Sequence, residues 1–84
     1  MSDESIAARI ERLVNEEEQL RGREQTDRGD PDALEGERER LRAVEVELDQ
    51  CWDLLRQRRA RRNAGQDPDD ATVRPEGVVE GYKQ

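Results

Sequence analysis

The sequence predicts an all-α fold: an antiparallel helical hairpin that dimerises into a four-helix, coiled-coil-like bundle, followed by an extended or disordered C-terminal tail. Three observations lead there. Leucine stands at every seventh position in Leu34, Leu41, Leu48 and Leu55, with Val44 and Cys51 three residues after two of them, which is the repeat of a packing helical seam. A second apolar-periodic stretch, Ile6, Ile10, Leu13 and Leu20, precedes it, and Gly22 to Asp30 between the two contains no aliphatic side chain. Only 31% of the 84 residues are hydrophobic and 44% are charged, so a private core is small and pairing with a second copy buries the missing surface.

The elements follow in order, residues 1–64 as the hairpin and 65–84 as a C-terminal arm. Ser2 or Asp3 caps the first helix and Glu4 suits its positive first turn, so a helix is predicted over about 3–21. Glu17 interrupts its seam within the acidic run Glu16, Glu17, Glu18. Neighbours on a helix point about 100° apart and cannot converge on one ion, so that run reads as a solvated face. The connector is 22–30. Asp30 then offers an N-cap and Pro31 a first helical residue whose missing N–H costs nothing, starting a second helix over about 31–63 that ends at Ala64 and Gly65.

On a helical wheel Leu41, Val44, Leu48, Cys51, Trp52 and Leu55 share one stripe, flanked by Leu54, while Val46 points away. These six are the predicted oligomer interface, with Trp52 as a core anchor. Pairing outward from the connector sets Glu17 near Arg38, Leu13 near Leu41, Ile10 near Val44 or Glu45, and Ile6 near Leu48. Leu55 to Arg62 then overhang, to be covered by the second chain. In the arm, Val73, Val78, Val79 and Tyr82 are candidates to dock along the bundle.

The arginine cluster Arg56, Arg58, Arg59, Arg61 and Arg62 is the feature most open to partner binding, since guanidinium groups suit carboxylate and phosphate. Its five members point in nearly all directions, and cations at a helix C-terminus are favoured by the dipole in any case. Arg59 and Arg62 could meet Asp3 and Glu4 of a partner chain or the acids of the arm. An acidic protein is a better partner for the cluster than nucleic acid, because the chain carries a net charge of -7 and only residues 36–62 are positive. Asp49 and Asp53 read as partners of Arg56.

No enzymatic activity is expected. Cys51 is the sole cysteine, lies in the apolar stripe and has no histidine to activate it. Asp67, Asp69 and Asp70 resemble a calcium loop only at its start, with Pro68 second and Val78 where a bidentate glutamate belongs, so no metal or cofactor is expected. Met1 to Ile10 has acids where a signal peptide carries lysines and no apolar run spans a membrane, which together predict a soluble cytoplasmic protein without a membrane partner.

The string LDQCWDLLRQRRARRNAG from Leu48, followed by DPDDATVR and VVEGY, and IERLVNEEEQL in the first helix, resemble a small actinobacterial family known as domain of unknown function 2630. The preference for arginine over lysine suits the GC-rich genomes of such a source. That resemblance implies no activity. The functional expectation is a non-enzymatic oligomerisation or protein-interaction module, with a regulator that binds nucleic acid or an acidic protein through Arg56 to Arg62 as the alternative.

Overall fold

Local chemistry sets where each helix begins. In the computed structural model, which describes residues 2–79, Ser2 Oγ accepts from the Ser5 N–H and Ser5 Oγ from the Ser2 N–H, both at 3.1 Å, forming a reciprocal capping box. Helix α1 (Asp3–Thr26) follows. Helix α2 (Pro31–Asn63) starts from Asp30, whose carboxylate accepts from the Ala33 N–H at 3.3 Å, with Pro31 in the first turn. It closes in a Schellman arrangement: Gly65 adopts φ 72°, the Gln66 N–H donates to the Arg61 carbonyl at 2.7 Å and the Gly65 N–H to that of Arg62 at 3.1 Å. No strand occurs among the described residues.

Helix α1 runs five residues beyond its predicted end, through Gly22. One glycine costs a helix only about 1 kcal/mol. Arg23, Glu24 and Gln25 are good helix formers, and Thr26 Oγ1 donates to the Gly22 carbonyl at 3.2 Å. The connector shrinks to 27–30, closed by the Asp27 N–H on the Arg23 carbonyl at 2.8 Å and the Asp30 N–H on Asp27 at 2.9 Å.

The longer α1 moves the hairpin register. Glu16 pairs with Arg40 through two bonds at 2.6 and 3.0 Å, Arg9 lies 3.5 Å from Glu47, and Asp3 reaches Arg58 at 2.5 Å. Ile6 shares a small cleft with Cys51 and Leu54, and belongs to the same core as Leu48. Glu17 makes no ion pair with Arg38 among the described residues; it lies 3.8 Å from Arg21, which also bonds Glu45 at 3.1 Å. The predicted overhang of α2 is correspondingly shortened, because the N-terminus of α1 now lies beside Arg58 and Arg62.

Ile6, Ile10, Leu13 and Leu20 of α1 pack against Leu41, Val44, Leu48, Cys51 and Leu54 of α2, and Val14, Leu55 and Ala71 border that core. Leu54, not Trp52, completes the stripe. Beyond Gly65 the chain folds back along α2 as a third layer: a 3-10 turn (Pro68–Asp70) capped by Asp67, an extended stretch over 71–75, and the single turn α3 (Glu76–Val79). Of the valines expected to dock, Val79 does so at 2% exposure, whereas Val73 and Val78 face outward; Tyr82 lies outside the described residues.

Candidate functional site

The arm is held on α2 by side chains that a helical wheel assigns to solvent. Asp53, with 0% of its surface exposed, receives two hydrogen bonds from the Arg74 guanidinium, the one from Nε measuring 2.9 Å, and a third from Gln57 Nε2 at 2.9 Å. Gln57 Nε2 also donates to the Thr72 carbonyl at 2.8 Å, and Gln50 Nε2 to the Arg74 carbonyl at 3.3 Å. Further along, Arg42 lies 3.9 Å from Glu76. The Arg74 guanidinium holds the Asp53 carboxyl below its ordinary range against the opposing effect of burial.

Arg58 closes the far end. Its side chain is almost fully buried; Nε donates to Asp3, and Nη1 donates to the Pro68 carbonyl at 3.2 Å and to Asp69 Oδ1 at 3.0 Å. Arg62 Nη2 donates to the other Asp3 oxygen at 2.5 Å. Hydrogen bonds from Arg62 and Arg58 lower the Asp3 pKa, and Asp3 followed by Asp69 keeps Arg58 charged. One arginine thus ties together the start of α1, the last turns of α2 and the arm.

The predicted site residues therefore divide. Leu41, Val44, Leu48 and Cys51 are buried in the chain's own core, so they are not surface available to a partner. Cys51 is covered and burial pushes its thiol pKa up. Trp52 is 45% exposed and takes no part in the hairpin's own core: α1 and the arm cover the Leu54 side of the stripe and leave the Trp52 side open. Leu55 is half-buried at its edge. The arginine cluster does not act as a unit either. Arg58 is internal, Arg62 is engaged by Asp3, and Arg61 lies half-buried outside the groove. Arg56 and Arg59, with Arg62 and Asp3, line a shallow groove around Trp52 and Leu55. That groove, an exposed indole rimmed by guanidinium groups, is the candidate interaction surface.

Sequence reasoning missed Gln57 and Arg74 as the groups that bond Asp53, which it read as a partner of Arg56. A signal was present: Arg74 is the sole arginine after Arg62, in an arm rich in acids. No group of three or more metal-ligating side chains gathers among the described residues, and no helix there is long and apolar enough to cross a membrane.

The chain is 52% identical over 81 residues to an uncharacterized protein of Mycobacterium bovis and to two of Mycobacterium tuberculosis, which covers 96% of this chain and 90% of each relative. No solved structure matches it. With the family model described as "Protein of unknown function (DUF2630)" matching residues 2–84, the chain belongs to that family.

Proposed function

We propose that the protein is a non-enzymatic interaction module that associates with a second copy of itself through the Trp52 face of α2. The observation that carries this reading is the 45% exposure of Trp52 on an otherwise charged surface, beside the half-buried Leu55. Aromatic side chains are the usual anchors of protein interfaces, and burying this one recovers apolar area the hairpin leaves in water. The absence of catalysis belongs to the same reading, and it is supported by the burial of the one thiol and its raised pKa, which keeps it in the un-nucleophilic form. A free thiol and an acidic surface suit the cytoplasm.

An acidic protein is the second reading, favoured by Arg56 and Arg59 beside the indole. Nucleic acid fits less well, since Arg58 and Arg62 already neutralise Asp3 and Asp69.

The test is the solution mass across a dilution series, by sedimentation, with helicity followed alongside. Leu48 is a poor site to perturb because it lies in the chain's own core, so the informative variant is Trp52→Glu. A dimer that becomes a helical monomer on that substitution is the expected result. A native chain that stays a helical monomer at every concentration would overturn self-association and direct the search to an acidic partner.

A further inference from the structure

We infer that the two copies pair antiparallel across the Trp52 face, with the two-fold axis passing at Trp52. This deepens the self-association proposed above and rests on it.

The argument is the order of charge along one open strip of α2. Glu45 stands seven residues before Trp52 and Arg59 seven after it; Asp49 stands three before and Arg56 four after. Seven residues are nearly two turns, so Glu45, Trp52 and Arg59 share a side of the helix, with Asp49 and Arg56 one row over. Among the described residues, the arm's partners on α2 are Arg42, Gln50, Asp53, Gln57 and Arg58, none of which belongs to this strip. Glu45, Trp52, Arg56 and Arg59 of the strip are exposed, and Asp49 is half-buried. Asp49 and Arg59 make no ion pair among the described residues, and Glu45 keeps 48% of its side chain exposed while bonding Arg21. Its charge is negative before Trp52 and positive after.

A two-fold interface must be complementary to itself: what residue i meets, its equivalent meets in return. Antiparallel pairing centred on Trp52 sets Glu45 against Arg59 of the second copy and Asp49 against Arg56, twice over, with the two indoles offset-stacked at the axis. Parallel pairing sets Arg59 against Arg59 and Glu45 against Glu45, four like-charge clashes around the same indoles. Charge order therefore selects the antiparallel form.

The experiment uses full-length chains with Cys51→Ala, each carrying one new cysteine, Glu45→Cys or Arg59→Cys. Under mild oxidation an equimolar mixture should form the mixed disulfide on the order of a hundredfold faster than either variant alone links to itself. The reason is that thiols juxtaposed in a complex act at mM effective concentration against μM protein. Each variant linking readily to itself, while still a dimer by mass, would overturn the antiparallel arrangement and leave self-association standing. A dimer that gives no link in any combination would place the interface elsewhere and also overturn it. A monomer throughout would remove both. Because Cys51 is buried, a charge swap in the native background gives an independent reading: Arg59→Glu should weaken the dimer roughly tenfold or more. Adding Glu45→Arg should restore it, and the swapped chain should fail to pair with the native one; no restoration would refute the proposed register.

Discussion

The two sides of α2 that α1 leaves uncovered contrast sharply. On the side beneath the arm, polar groups are buried and satisfied: Asp53 is fully enclosed, yet each carboxylate oxygen has a donor. On the other side an indole stands nearly half in water among arginines. The first inverts the rule that charges face solvent, and the second inverts the rule that large apolar groups face inward. A buried ion pair gives up hydration for direction, so it fixes one register of the arm and no other. An exposed indole has no fixed partner, which is what an assembling surface requires. The same helix thus uses polarity to specify its own fold and apolarity to meet something else.

The firmest way to break the covered side is Arg74→Ala. It leaves the Asp53 carboxylate enclosed with only Gln57 as donor, and stranding one member of a buried pair costs roughly 3 to 5 kcal/mol. Release of the arm to hydrate Asp53 limits the loss, so the expected readout is a fall in urea midpoint together with lost amide protection over residues 71–79. Asp53→Ala should cost less, because the Arg74 side chain is about a third exposed and can turn to water. Replacing both, Asp53→Leu with Arg74→Met, should recover most of the loss. If the double variant is as unstable as Arg74→Ala, the pair contributes something other than mutual satisfaction.

Arg58→Met is expected to come next, at roughly 1 to 3 kcal/mol, since it removes the bonds to Asp3, Asp69 and the Pro68 carbonyl but leaves acids that are already partly hydrated. Equilibrium unfolding measures it. Arg59→Met, on the open side, should be within about 0.5 kcal/mol of native stability. Equal effects at the two positions would erase the division of the cluster.

The seam was legible in the sequence because apolar periodicity depends only on neighbours three and four residues away. Leu41, Val44, Leu48 and Cys51 lie where the heptad sets them, and Asp30 with Pro31 marks the start of α2. The register was not legible, because it rested on whether Gly22 ends α1. That question is a balance of about 1 kcal/mol between glycine entropy and the helix formers that follow, and it was settled by five further helical residues. The arm was illegible for a different reason. Hydrogen bonds join Gln57 to Thr72 across 15 residues of sequence and Asp53 to Arg74 across 21, and such bonds leave no periodic trace. That Leu54 and not Trp52 completes the hairpin's own core was illegible because a wheel gives the width of a stripe and not which edge the partner helix covers.

Trp52→Ala should leave the stability of the isolated chain nearly unchanged, within about 0.5 kcal/mol, because its ring does not help to build the hairpin core. Sedimentation should show the association lost at the same time. Large destabilisation at concentrations where the native chain is monomeric would mean that Trp52 supports the fold, and the contrast between the two sides would fail.

The smallest effect concerns two carboxylates of α2 with opposite shifts. Asp53 has its pKa lowered below 3.8, so its contribution is fully present above that value and disappears only as pH falls through the still lower folded pKa. Glu37 is raised above its ordinary 4.5, first by the neighbouring Asp27 carboxyl and then by burial, and its Oε2 is buried without a hydrogen-bond partner. For a raised carboxylate the folded state binds the proton more tightly than the unfolded chain. Glu37 therefore opposes folding above its folded pKa, and that opposition is relieved as pH falls toward 4.5. Titrating from neutral, the melting temperature should rise slightly as Glu37 is protonated and then fall below about pH 4 as Asp53 and Asp3 lose their charge. Glu37→Gln should raise the melting temperature at neutral pH, because an amide donates to Asp27 where a second carboxylate repels it. The gain should vanish near pH 4, where the native glutamate carries its own proton. A gain that is independent of pH would instead assign the effect of Glu37→Gln to packing.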